Sequence, residues 1–242
     1  MKLVFFCFYN IRKPLNAMAK TRDNQSYKEK VYKSLKKAIT NCALRPGEVV
    51  NERKLAAKLA VSRTPVREAL YALRDEGWVS IVPWKGAFVR PVTYSDINEC
   101  MHLRLAIEPY AVELATPFIG AKELAYFDSL MEWQKSLAGK EDAGEFITID
   151  QNFHLYFAEL TKNGRLISIL RTLRDIHLRL GVEAVRLKQR YSMTLREHLA
   201  IVAALRDKDG KAAAYAMREH LLLTREALLE IFATSTKENN TP

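Results

Sequence analysis

The stretch VSRTPVREALYALRDEG, running from Val61 to Gly77, decides how this chain is read. Its apolar residues Val66, Ala69, Leu70 and Leu73 recur every three or four positions, the period of one helix face. Thr64 followed by Pro65 is a start signal, with Thr as N-cap and Pro at the first helical position. Gly77 suits the left-handed position just past a helix end. Immediately upstream, Asn51 can cap a shorter helix whose apolar face is Leu55, Ala56 and Leu59. Two short helices joined this tightly form a helix-turn-helix.

Working outward, Ser26 and Glu29 have capping-box spacing, and Val31, Leu35, Ala38 and Ile39 then recur at helical intervals. The spacing predicts a first helix of about four turns, stopped by Arg45-Pro46-Gly47. On the other side of Gly77, Trp78 to Val82 reads as a strand, Pro83 to Gly86 as a turn and Ala87 to Arg90 as a returning strand. Three helices followed by a β-hairpin make a winged helix-turn-helix. In such a module the third helix enters the major groove of duplex DNA, and here Ser62, Arg63, Thr64 and Arg67 surround its start. Arginine can reach guanine bidentately, whereas hydroxyls and free N–H groups at a helix start favour phosphate, so Arg63 and Arg67 are the candidates for reading sequence. Arg53 can touch the DNA backbone, and Lys85 and Gly86 at the wing tip can approach the minor groove.

Charge supports this reading. The chain has 242 residues and a formal net charge of +10. Residues 1–92 carry 19 basic and 7 acidic side chains, and residues 93–242 carry 19 and 21, so the whole excess lies in the first part. A basic segment joined to a near-neutral one suggests a polyanion-binding module attached to something else, with a merely solubilising basic face as the plain alternative. Only 9 Gly and 8 Pro disfavour turn-rich sandwiches and long disordered tracts, and the composition points to helices. The 3 Cys, Cys7, Cys42 and Cys100, lack C-x-x-C spacing and suit a reducing, cytoplasmic compartment. No apolar run approaches the roughly 18 to 20 residues that span a bilayer, and no membrane partner is expected. Lys2, the apolar Leu3 to Tyr9 and Ala17-Met18-Ala19 superficially resemble a signal peptide, but Arg12 and Lys13 intrude where such a peptide is uncharged. Met18 is an alternative start, and residues 1–18 are read as an extension outside the fold.

From Thr93 and Asp96, a further capping box, the remainder reads as amphipathic helices near 96–115, 122–138, 146–161, 163–190, 194–207 and 209–234. Breaks fall at Pro117 to Gly120, Gly139 to Gly144, Asn163-Gly164, Ser192 and Asp207 to Gly210. Each helix alone would expose an apolar stripe, so the six are expected to close as an antiparallel bundle, a fold that builds ligand and metal sites in its core. Asp150 and His154 lie one turn apart on one face and can hold a single cation. His198 and His220 sit among apolar residues on the last two helices and are expected to face inward. One oxygen and three nitrogens suit a divalent transition metal, zinc first, with nickel or manganese as alternatives. On spacing alone, a histidine on an apolar face is more often a hydrogen-bonded core residue than a ligand. His177, in the basic stretch from Arg171 to Arg190, reads as solvated or interfacial. Phe157 and Met217 read as core.

Two resemblances extend these readings. Asn51-Glu52-Arg53-Lys54-Leu55-Ala56, Val61 to Leu70 and Leu73 to Gly77 with Trp78 resemble the DNA-binding signature of the GntR family of bacterial transcription regulators, over about 65 residues from Tyr27 to Pro91. That resemblance implies a homodimer on a short palindrome, with Arg53, Arg63, Arg67 and Gly86 at contact positions. Pro83-Trp84 departs from what many members carry in the wing turn. Asp150-x-x-x-His154 with Phe153, Glu197-His198-x-x-Ile201-x-x-Ala204-Leu205 and Met217-x-x-His220-Leu221 resemble the FCD effector-binding domain of FadR-type members, over roughly 95–234. In that subfamily the matching Asp and three His usually coordinate a metal beside a pocket for a small organic acid. Arg104 and Glu108 also match the pattern. Such an i,i+4 pair is ordinarily only an ion pair, but if Arg104 faces the metal its planar fork suits a ligand carboxylate.

The expectation is therefore a mainly α protein: an N-terminal extension (1–18), a winged helix-turn-helix (19–92), an FCD-like helical domain (93–236) and a tail (237–242). Its expected function is transcription regulation without enzyme activity, most simply as a repressor released by a small carboxylate metabolite. Two rivals are a metalloenzyme carrying a DNA-binding module and a sequence-tolerant DNA-binding protein without effector control. For the first, Glu159 and Glu197 are the nearest candidate bases, and both have spacing that suits a surface.

Overall fold

A computed structural model describes residues 26–137, 142–184 and 190–238. The N-terminal extension therefore lies outside the described residues. The first helix, α1 (Tyr27–Thr40), starts with Ser26 accepting from the Glu29 N–H at 3.2 Å. It ends earlier than Arg45-Pro46-Gly47. The side chain of Asn41 accepts from the N–H of Ala43 and Cys42 takes a positive φ of 57°, so a local turn displaces the helix before the proline is reached. The segment 45–47 instead leads into a two-residue strand, β1 (Val49–Val50), which sequence periodicity does not reveal.

Helix α2 (Glu52–Lys58) is capped by Asn51, which accepts from Lys54 N–H at 2.9 Å. Helix α3 (Arg63–Asp75) begins two residues earlier than the Thr64-Pro65 signal implied, with Ser62 as its N-cap. The first-turn N–H groups have no intrahelical partner, so a proline there removes nothing the helix uses. Gly77 closes α3 at φ 79°, as expected. Strands β2 (Val79–Val82) and β3 (Gly86–Val89) form the wing, and β1 joins the free edge of β3 to make an antiparallel sheet of order β1-β3-β2. Val31, Leu35, Ile39, Val66, Leu70, Leu73 and Val89 close the core of this module.

The second module consists of α4 (Tyr94–Ala115), a 3-10 turn (Thr116–Phe118), α5 (Ala121–Leu137), α6 (Ala143–Leu160), α7 (Gly164–Ala184), α8 (Arg190–Arg206) and α9 (Gly210–Glu238). The Thr93/Asp96 capping box is complete in both directions. Ser192 is not a break but lies inside α8. Arg190 reaches two turns along to Glu197, at 2.7 and 3.0 Å, and to the Thr224 hydroxyl at 2.8 Å, which holds that first turn in helical form. The expected boundary between helices there falls partly at 185–189, outside the described residues. Helices α4, α5, α6, α8 and α9 pack around a core built from Met101, Val112, Phe127, Phe146, Phe153, Phe157, Ile201 and Met217. Phe157 and Met217 are core, as read. Among the described residues no helix is long and apolar enough to cross a membrane.

Candidate functional site

Three helices meet at one buried point. Asp150 and His154 come from α6, His198 from α8 and His220 from α9, and one donor atom from each lies within 4.8 Å of the others. All four are at most 4% exposed, so the set expected from the sequence is brought together in the core.

The hydrogen bonds fix how each imidazole faces. His154 Nδ1 donates to Glu108 Oε2 at 2.5 Å, His198 Nδ1 to Gln134 Oε1 at 3.0 Å, and His220 Nδ1 to Glu197 Oε2 at 2.6 Å. Because all three acceptors are oxygens, the proton of each neutral ring sits on Nδ1 and a lone pair remains on Nε2. His154 Nε2 and His198 Nε2 are buried without a hydrogen-bond partner, and they lie 3.8 and 3.4 Å from Asp150 Oδ1. Lone pairs turned toward a carboxylate oxygen repel unless a cation lies between them. Burial pushes the His198 ring well below its ordinary pKa, and that of His220 is lowered by the same cause, so both stay neutral. Burial opposes charge on Asp150, yet its polar contacts, a hydrogen bond from His177 among them, hold its carboxyl well below the usual range. Neutral rings at His198 and His220 with an ionised Asp150 are the protonation states a metal requires of its ligands, and the residues present fit one.

A second layer, mostly passed over by sequence reading, surrounds this set. His177 is not solvated: it is 2% exposed, with Nε2 3.6 Å from Asp150 Oδ2, and its Nδ1 meets an Arg104 guanidinium nitrogen at 2.5 Å. Burial and the Arg104 charge bring its pKa down to about 4. Arg104 is itself fully buried, and its Nε donates to Glu108 Oε1 at 2.5 Å. Glu197, expected at the surface, is partly buried between Arg190 and His220. The misreadings share a cause. Leu170, Leu173, His177 and Leu180 form one buried stripe of α7, and Met101, Arg104, Glu108 and Val112 one stripe of α4. Polar residues at core positions of an amphipathic pattern were the available signal.

Arg104, Glu108, Gln151, His154, Leu155, Leu170, Leu173 and Arg174 line a pocket against the cluster. Its free volume of about 10 Å³ suits about one water molecule. One wall is α7, which also touches the DNA-binding module. Lys36 on α1 pairs with Asp175 at 2.9 Å and with Glu76 at 3.0 Å, Ile176 packs on the core of the first module, and Arg179 donates to the Arg90 carbonyl. Residues 175–179 thus face the cluster through His177 and the first module through Asp175, Ile176 and Arg179.

In the first module, Ser62, Arg63, Thr64 and Arg67 are exposed at the start of α3, Arg53 on α2, and Lys85 and Gly86 at the wing tip. Glu52 holds the two candidate reading arginines together, with Oε2 2.9 Å from Arg67 Nε and 3.4 Å from Arg63 Nη2. Exposed pairs of this kind contribute about 0–1 kcal/mol, so they align the side chains yet yield readily to phosphates or bases.

A winged helix-turn-helix with an exposed basic recognition end, joined to a helical bundle with a His/Asp cluster, defines a DNA-binding protein with a second, internal site. Comparison with known proteins makes the class specific. Residues 27–89 match the model for bacterial regulatory proteins of the gntR family, and residues 99–223 match the FCD domain. The Nta operon transcriptional regulator of Aminobacter aminovorans is 35% identical over 196 residues, covering 80% of this chain and 90% of the relative. The HTH-type transcriptional repressor RspR of Escherichia coli is 26% identical over 207 residues, covering 86% and 91%. A solved structure of a GntR regulator from Rhodococcus sp. RHA1, described as putative, superposes with a TM-score of 0.73 at 25% identity, covering 84% of this chain and 97% of that one. E. coli McbR/YncC, 23% identical, shares the fold at a TM-score of 0.73 over 86% and 99%. The chain belongs to the GntR family of bacterial transcription regulators, with an FCD domain as its C-terminal part. It is a DNA-binding regulator rather than an enzyme, which removes the metalloenzyme reading.

Proposed function

We propose that the chain is a ligand-responsive regulator in which a homodimer reads a palindromic operator and the bundle senses a small carboxylate through a divalent transition metal held by Asp150, His154, His198 and His220. The domain limits 19–92 and 93–236 belong to this reading. The observation that carries it is the pair of buried, unpartnered Nε2 atoms of His154 and His198 turned toward the Asp150 carboxylate. A His₃Asp set of borderline donors suits zinc first, and nickel or manganese as well. Bound there, the metal would supply a positive charge that attracts a carboxylate. The surrounding residues fix its ligands: Glu108, Gln134 and Glu197 each orient one imidazole, and Gln151 donates to Asp150 Oδ2 at 2.9 Å. Arg104 lines the pocket as the candidate effector residue, and Glu108 and His177 already engage its fork, so an effector carboxylate shares it with them.

The small pocket supports a mechanism. A ligand larger than water has to displace the α7 wall, and α7 is what Lys36, the first-module core and the Arg90 carbonyl grip. A ligand that binds the displaced arrangement better shifts the population toward it and changes how the two recognition helices are spaced across the dimer. Repression relieved by ligand is the favoured sign, supported by the repressor name of the E. coli relative. Metal content of the purified protein tests the core of this reading. Asp150→Ala and His198→Ala should each lower bound metal and thermal stability, and full retention in either variant would overturn the four-ligand assignment.

A further inference from the structure

The wing tip breaks a local rule. Val82, Pro83, Trp84 and Lys85 form a tight turn closed by the Lys85 N–H donating to the Val82 carbonyl at 3.1 Å. Trp84, at the third position after a proline, has a φ of 66°, as in a type II turn. That position normally takes glycine or asparagine, because a side chain in the left-handed region crowds its own carbonyl. Trp84 is nevertheless a tryptophan, and it is fully exposed, so among the described residues no packing offsets the strain. The other two tryptophans behave otherwise. Trp78 is buried and its indole donates to Glu76 at 3.1 Å, while Trp133 donates to Glu145 at 3.1 Å. Sequences that violate local preference without a gain in the free fold do so at functional sites. Trp84 is flanked by exposed Lys85 and Gly86 on the hairpin of a DNA-binding module.

We propose that Trp84 is a DNA-contact residue that lays its indole in the minor groove beside the major-groove half-site, with Lys85 on the adjacent phosphate. The inference rests on the operator-reading role of α3 but assigns a residue outside it. An apolar wedge in the minor groove reads groove width and the absence of the guanine amino group, and so favours A·T pairs at that flank. Its contribution is contact and desolvation rather than charge, which separates it from Lys85.

The test uses the full-length protein and a duplex that the wild type selects from a random library. Trp84→Gly should leave the melting temperature unchanged or raise it, because glycine relieves the positive φ. It should also weaken the selected duplex about 10-fold, which is about 1.4 kcal/mol, with the salt slope unchanged. Lys85→Ala should instead lower that slope by about one. Replacing flanking adenines by 2,6-diaminopurine, which adds an amino group on the minor-groove side alone, should weaken the wild type and leave Trp84→Gly unaffected. If Trp84→Gly binds as tightly as the wild type while Arg63→Ala loses its preference, the wing assignment is overturned and the α3 reading stands. If Arg63→Ala keeps its preference, the α3 reading falls instead. A melting temperature lowered by Trp84→Gly would make the residue structural and overturn the proposal, as would a wild type indifferent to diaminopurine.

Discussion

Replacing Glu108 by glutamine keeps the shape of the side chain and removes one buried charge. In the native protein that carboxylate accepts from Arg104 Nε at 2.5 Å and from His154 Nδ1 at 2.5 Å, with both partners at most 4% exposed. Burial opposes its ionisation, but the Arg104 guanidinium and His154 hold the carboxyl far below the usual range. Glu108→Gln therefore leaves the Arg104 cation buried without its counter-charge, a change that costs roughly 3–5 kcal/mol. For a chain of this size that is a melting temperature lower by about 10 °C. The imidazole of His154 also loses its charged orienting partner, which lowers metal affinity about 10- to 100-fold. The double variant Arg104→Met with Glu108→Leu replaces the pair by apolar groups of similar volume and should recover most of the stability, but not the metal affinity. Thermal melts of chelated protein and competition against a metal indicator measure the two effects separately. A Glu108→Gln variant with wild-type melting temperature would refute the buried-pair reasoning. Normal stability with unchanged metal affinity would further detach Glu108 from the cluster.

Three further outcomes follow from particular residues. Arg63→Ala should relax sequence preference at one operator position, a change of about 1–3 kcal/mol in discrimination, read from binding to a panel of single-site duplex variants; uniform weakening across the panel would favour a sequence-tolerant binder. Gly77→Ala should destabilise the first module by about 1–2 kcal/mol, because φ is 79° and the added Cβ would sit 3.1 Å from Arg90 Nη1; an unchanged melt would contradict this. On acidification, chelated protein should lose stability between pH 6.5 and about 4, because His177 titrates at about 4 in the fold against an ordinary 6.5 and His198 is lowered as well. In that window the unfolded chain binds more protons, so stability falls with falling pH. The lowered carboxyls of Asp150 and Glu108 add a loss of the same sign below their ordinary values of 3.8 and 4.5. A melting temperature flat from pH 7 to 4.5 would contradict the neutral, buried assignment of both rings.

Much of the architecture was legible because its signals are local. The caps at Ser26, Asn51 and Thr93, the glycine at 77 and the helical periods give each element almost in place. What escaped depends on competition or on distance. The end of α1 is set by an Asn41 side chain competing for the backbone, and β1 exists only because β3 offers it an edge. In the site, the four clustered residues stand out because histidine and aspartate on apolar faces are unusual. The layer behind them does not. His177 looks solvated because it lies in an arginine-rich stretch, yet its stripe partners Leu173 and Leu180 turn it inward. Glu197 pairs with residues 7 positions before it and 23 after it, and only the latter contact, with His220, gives it a role in the cluster. No periodicity encodes the identity of a side chain across the bundle.

The most direct test of a metal-linked sensor is a thermal-shift panel of mono-, di- and hydroxycarboxylates and sugar acids on metal-loaded protein, repeated after chelation. Ligand at 100 times its dissociation constant adds about 2.7 kcal/mol, roughly 5 to 10 °C for a chain of this size. The account predicts at least one carboxylate whose shift disappears with the chelator and is lost in His198→Ala. A carboxylate shift that survives both chelation and His198→Ala would contradict it, placing the ligand away from the Asp150, His154, His198 and His220 cluster.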